Sequence, residues 1–138
     1  MIITKKKLVG GSVAAAIVLV VWLVFNPPCK FGYCCYAYTT YNAMPRPLSD
    51  LQIRCDGTVR KIQKTHALTY EMIEWLLDPL PEVLIVATGW DGVTQPDERI
   101  QNIKSCAVHI LKNKEAIALF NQLKKEKKRV AIHFHSTC

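Results

Sequence analysis

Acidic residues are scarce in this 138-residue chain, eleven against eighteen lysines and arginines, and charged residues of both signs make up only 21% of it. With half the residues hydrophobic, the composition excludes a disordered polymer or a histone-like basic tail, because too much apolar surface is present to leave in water. The length excludes two cores of ordinary size. Glycine-rich phosphate cradles are missing too: neither GxGxxG nor GxxxxGKS/T occurs, so no loop is expected to gather backbone amides on an anion in those ways. The acids are scattered over turns and helix faces rather than paired, which leaves no general acid–base couple and no residue assigned as catalytic. No recognition helix or basic-aromatic platform accompanies the positive charge, so nucleic acid is not an expected partner.

What the chain does have is one long apolar run. Residues 8–25, LVGGSVAAAIVLVVWLVF, contain no charge and no proline. As a helix they rise roughly 27 Å, close to the thickness of a bilayer's hydrocarbon core. Lys5, Lys6 and Lys7 precede the run, Trp22 lies near its far end, and Asn26-Pro27-Pro28 stops it. No small-x-small cleavage site follows, and Pro28 before Cys29 argues against lipoprotein processing, so an uncleaved transmembrane helix is expected over 8–25. The lysines favour a single-pass membrane span with 1–7 cytoplasmic and the rest exported, against a weaker pull from Lys30 and the more distant Arg46, and the side of the membrane on which the domain lies stays open.

Residues 26–49 are rich in tyrosine and bounded by Pro45 and Pro47, which predicts a juxtamembrane linker. Its Phe31, Tyr33, Tyr36 and Tyr38 suit either the headgroup level or an ordinary aromatic loop. Cys29 and the adjacent Cys34 and Cys35 leave lipidation, a vicinal disulfide and free thiols all open. Three further cysteines, Cys55, Cys106 and Cys138, cannot pair off among themselves.

A domain is expected over 50–138. Leu51, Ile53 and Cys55 alternate with polar residues before Asp56-Gly57 and a second short strand, a hairpin pattern. Met72, Ile73, Leu76 and Leu77 recur at helical spacing behind Thr69 and end at Pro79 and Pro81. The run VLIVA at 83–87 reads as a strand covered on both faces. Thr94 and Asp97 have capping-box spacing ahead of Ile100 and Ile103, and Asn113 is placed to cap a helix burying Ala116, Ile117, Phe120 and Leu123. A last strand puts Val130, Ile132 and Phe134 on one face and Ala131, His133 and His135 on the other. The order ββαβαβαβ implies an α/β fold with a mixed sheet, parallel at its centre.

The stretches VLIVATGWDG, LKNKEAIALFNQL and KKRVAIHFHSTC resemble the Mth nine-three-eight domain family, and the ending Phe134-His135-Ser136-Thr137-Cys138 is similar to its adipogenesis-associated member. The resemblance covers about residues 48–138. It implies a three-layer α/β fold and a role in assembly or interaction, as in mitochondrial complex I assembly factor three, with no settled enzymatic activity. The chain departs from the family where Ala87 and Lys127 stand in place of expected glycines, and in carrying an anchor.

Three constellations are candidates for chemistry. The loop Thr88-Gly89-Trp90-Asp91-Gly92 follows a central strand, where open α/β sheets bind ligands, and Thr88, Gly89, Asp91, Gly92 and His135 form the candidate ligand site. His133 and His135 share a strand face near Cys138, but a metal needs a further ligand, from Cys106 or His109, and no metal or other cofactor is expected. Lys124, Lys125, Lys127, Lys128 and Arg129 make a basic patch that suits a solvated helix end, anionic headgroups or an acidic partner. The leading expectation is a membrane-anchored, non-catalytic protein-interaction module that assembles or scaffolds a membrane complex, with the lipid bilayer and another protein as partners. The alternative is a small-molecule-binding or enzymatic domain using the 88–92 loop.

Overall fold

A computed structural model describes the chain from residue 3 to residue 138, with side chains from residue 10 onward. Helix α1 (Ile3–Phe25) takes up the apolar run. From Val13 to its end every side chain is apolar, so no face is distinguished from another, and Val18 and Phe25 stand 68% and 69% exposed. Among the described residues no helix is long and apolar enough to cross a membrane. The stretch 10–25 makes a rod of roughly 24 Å against roughly 30 Å of hydrocarbon. The expected span, 8–25, begins two residues before the described side chains, and residues 1 and 2 of the expected cytoplasmic segment, 1–7, lie outside the described residues.

The segment 26–49 is not a linker. It folds into β1 (Phe31–Cys35), β2 (Tyr38–Tyr41) and β3 (Met44–Pro45), an antiparallel sheet. Asn42 and Ala43, both at positive φ (53° and 59°), turn β2 into β3. Phe31 and Tyr41 are 2% exposed, and the Phe31 ring lies 5.1 Å from Phe120 and 5.2 Å from Phe134. Phe31 therefore sits in the core rather than at a headgroup level, while Tyr33 and Tyr36 are exposed. An irregularity in register between Phe31 and Cys34 lets residues two apart face opposite ways.

This small sheet is fastened to α1. The Asn26 side-chain oxygen accepts from the Thr40 hydroxyl (2.6 Å) and the Tyr33 amide (3.1 Å), and Trp22 Nε1 donates to the Ala43 carbonyl (3.0 Å). Gly32 passes so close that a Cβ there would lie 2.6 Å from Asn26 Cα. The helix thus enters the folded body without a flexible joint.

Beyond it come β4 (Asp50–Ile53), β5 (Val59–Ile62), β6 (Ala67–Leu68), α2 (Tyr70–Ile73) running into a 3-10 turn (Glu74–Leu77), β7 (Val83–Ala87), β8 (Gln95–Pro96), α3 (Glu98–Gln101), β9 (Ala107–Leu111), α4 (Asn113–Lys125) and β10 (Val130–Phe134). The main sheet has the order β5-β4-β10-β7-β9; β10, β7 and β9 are parallel, and β4 runs antiparallel to β10. One face buries Ile85, Ile132 and Phe134 against Ala116 and Phe120 of α4 and against Phe31 and Tyr41. The other buries Leu84, Val86 and Ala131 against Leu68, Ile73, Leu76 and Ile100. The three-layer mixed α/β architecture is as expected.

Details differ from the sequence pattern for local reasons. Asp56-Gly57 suits a two-residue turn by sequence, but only Gly57 takes positive φ (88°) in the hairpin, and the Gly57 amide donates to the Arg54 carbonyl, so the loop is a turn with a bulge. Asp97, not Thr94, caps α3, accepting from the Arg99 amide, because Pro96 is held in β8. Lys127 adopts positive φ (59°): its amide bonds Lys124 O, and the Lys128 amide bonds Leu123 O. That is a Schellman ending built without glycine.

Candidate functional site

The antiparallel pairing of β10 with β4 sets Phe134 opposite Leu51, so the next step along each strand brings His135 to Asp50. Asp50 is 1% exposed and receives three donors: His135 Nδ1 (2.6 Å), the Ser136 amide (2.9 Å) and the Ser136 hydroxyl (2.9 Å). Nδ1 of His135 faces the carboxylate, and on the other side of the ring Nε2 lies 3.2 Å from the Thr137 hydroxyl. His66, from the loop before β6, stacks edge-on against His135 with ring centroids 5.2 Å apart, and its Nε2 is 3.3 Å from Cys138 Sγ. A cavity of about 280 Å³ opens here, lined by Lys64, Thr65, His66, His135 and Thr137.

The 88–92 loop lies beside this corner but faces inward. The Thr88 amide and hydroxyl both bond Leu111 O, the Gly89 amide donates to Asn113 Oδ1, and the Trp90 amide and Nε1 donate to Thr137 O and Ser136 O. These donors are spent on the protein itself and do not converge on a ligand position. Gly89, at φ 102°, lies so near the C-terminal strip that a Cβ would fall 1.6 Å from Cys138 O. Asn113 is the first residue of α4 rather than its cap; its side chain is buried and bonds Gly89 N on one side and His135 O on the other. Of the expected ligand residues, then, Gly89 braces the strip that carries His135, through Asn113 and its close approach to Cys138, while Thr88 is bonded to Leu111 at the end of β9. Gly92 packs against Lys112, and Asp91 is exposed.

His133 does not join the corner. It is fully buried beside Gln52 Nε2 (3.4 Å), and burial pushes its imidazole down to about 4, so it is neutral. Gln52 in turn accepts from Arg60 and donates to Met72 O. Cys106 and His109 are kept away because β9 pairs with β7, and β7 separates it from β10. The residues that sequence reasoning missed are Asp50 and His66. An aspartate opening a strand antiparallel to the histidine strand was a usable signal for the first; nothing local marked the second.

The basic patch sits at the other end of β10. Glu82 accepts from the Arg129 amide at 2.9 Å and faces the Lys128 and Arg129 side chains at 4.0 and 3.8 Å, which holds its carboxyl below the usual range. Such exposed pairs contribute little. All six cysteines are free thiols; Cys29 is exposed, while burial raises the Cys34 thiol to about 11.

Architecture and corner together define a small three-layer α/β domain with a mixed five-stranded sheet. The chain belongs to the family described as "Protein of unknown function (DUF498/DUF598)", whose model matches residues 37–135. That match starts inside the segment expected as a linker. The resemblance to the Mth nine-three-eight family is met by the solved structure of MT938, with 27% identity and a TM-score of 0.68 over 79% of this chain and 98% of that one. A conserved hypothetical protein, PH1505, from Pyrococcus horikoshii OT3 superposes with a TM-score of 0.70 at 24% identity, covering 79% of this chain and 99% of that one. A protein described as an outer membrane protein from Bartonella henselae gives 0.67 at 19% identity, covering 83% and 99%. The last two show the fold alone. No curated protein matches the chain.

Proposed function

We propose that the chain is a non-catalytic interaction module, held at a membrane through α1, that assembles or scaffolds a membrane complex. The observation that carries this reading is the bare apolar helix. A helix with a polar and an apolar side is built to lie on a surface, whereas one apolar all round suits an apolar surrounding. Residues 13–25 are of the second kind, and α1 is fastened to the domain through Asn26 and Trp22. Tyr33, Tyr36, Met44 and Leu48, all exposed, extend the apolar character into the small sheet that follows, at the height where amphipathic rings favour an interface. The lysines at 5–7 supply a positive side on which the N-terminus stays cytoplasmic. The partners of this reading are the bilayer and a protein of the complex, with Lys124, Lys125, Lys127, Lys128 and Arg129 offering a contact for anionic headgroups or an acidic surface.

Alkaline carbonate washing of membranes from cells making the full chain tests it. The protein is expected in the pellet; release into the supernatant overturns the attachment. Orientation is read from an impermeant thiol reagent on intact cells. Cys29 is expected to label ahead of the half-buried Cys34, and protection of Cys29 until the cells are opened would reverse the sidedness.

A further inference from the structure

The structure assigns a metal site to the corner at the C-terminal end of β10: His66, His135 and Cys138 are placed to bind one Zn²⁺-class ion, with a fourth position open to the cavity. Their ligand atoms all lie within 4.8 Å of one another. Around tetrahedral zinc, Zn–N of about 2.0–2.1 Å and Zn–S of about 2.3 Å set the nitrogen–sulfur edge at roughly 3.5 Å. Cys138 Sγ and His66 Nε2 already stand 3.3 Å apart, so one edge is formed and His135 Nε2 needs only a short approach.

The surroundings match what metal histidines need. A ligating imidazole holds its metal through one nitrogen while the other donates to a carboxylate, which fixes tautomer and ring plane. His135 is in that condition: Nδ1 donates to buried Asp50 at 2.6 Å, and Asp50 is itself fixed by the Ser136 amide and hydroxyl. The strip carrying His135 and Cys138 is braced by Asn113 and Trp90. One thiolate with two imidazoles suits zinc and its neighbours rather than calcium or magnesium, which take oxygen donors. Three protein ligands leave a coordination position free, as in sites that bind water or substrate. Here that position faces the cavity of about 280 Å³, with Lys64 and Thr65 on its wall to receive water or a small anion. On binding, Cys138 releases its thiol proton to solvent, and the Thr137 hydroxyl gives up its bond to Nε2.

The test uses the full chain in detergent, freed of metal by chelator and titrated with Co²⁺, then with Zn²⁺ as competitor. One Co²⁺ per chain is expected, with a sulfur-to-metal charge-transfer band that Zn²⁺ removes. His66→Ala touches an exposed side chain and leaves the fold alone; it should weaken binding at least about tenfold, and Cys138→Ser should abolish the band. Asp50→Asn, with folding checked by circular dichroism, should weaken binding about 10–100-fold through the His135 ring. Absence of the band, or His66→Ala binding as tightly as the unaltered chain, overturns the assignment. So does a band that survives Cys138→Ser but disappears with Cys35→Ser, which would put the metal on the vicinal thiols.

Discussion

Helix α1 and the α/β domain draw on the same valines, leucines and isoleucines yet treat them oppositely. In the main sheet of the domain the apolar side chains have an inside to face: Ile85 and Leu84 are neighbours in β7, and each is buried on its own side of the sheet. In α1 there is no inside, and Val18 and Val24 are as bare as a surface lysine would be. Apolar composition alone therefore does not make a core; a core needs a second layer, and among the described residues none covers the helix from Val13 to Val21. What separates the two regions is not distance, because Asn26 and Trp22 bond one to the other.

That contrast breaks first at Phe31. If the core extends upstream of residue 50, Phe31→Ala should cost about 3–5 kcal/mol in a urea unfolding experiment, the loss typical of a buried phenylalanine; a negligible change would return 26–49 to the status of a linker. Next, Val18→Lys should separate the regions energetically. It should leave the unfolding midpoint of the domain in detergent unchanged, yet disfavour insertion by about 2.5–3.5 kcal/mol and shift the protein into the carbonate supernatant. Asn26→Ala, which leaves the Thr40 hydroxyl and the Tyr33 amide without their acceptor, should cost about 1–3 kcal/mol, with faster hydrogen exchange confined to β1, β2 and the end of α1. Lys127→Gly, relieving a left-handed lysine, should stabilise by about 1 kcal/mol, seen as a higher melting temperature.

The smallest expected effect is a pH term. Arg99, hydrogen-bonded to Glu71, holds that exposed carboxyl at about 2 from an ordinary 4.5. A depressed carboxyl stabilises the fold above its unfolded value, and the contribution is lost as pH falls from 4.5 toward 2. Arg99→Met should flatten stability across that window slightly, and an unchanged acid limb would show the pair contributes nothing.

The parts of the fold that were legible in the sequence are those whose periodicity is uninterrupted. VLIVA, the α4 stripe of Ala116 and Phe120, and the alternation along β10 each report their burial directly, and the mixed sheet follows from their order. The sheet β1–β3 was illegible because its irregular register between Phe31 and Cys34 breaks the two-residue alternation, and because Ala37, Asn42, Ala43 and Leu48 turn the chain at positive φ where glycine would have signalled it. At the site, His135 and Cys138 stood out as chemistry-bearing residues near the end of a strand. His66 did not, since it arrives from a loop by tertiary packing alone. Asn113 was misjudged for an opposite reason: it has the side chain of a helix cap, but the chain uses it to join the 88–92 loop to the C-terminal strip.

The fastening of α1 has a mechanical consequence. A domain on a slack tether sweeps out a volume and can be met from any direction, whereas one clamped at Asn26, Gly32 and Trp22 keeps a constant pose with respect to the helix axis. Whatever surface it offers is then presented at one height and one azimuth along that axis, so that, if the proposed attachment holds, a partner in the same lipid sheet would be selected as much by its stature as by its chemistry.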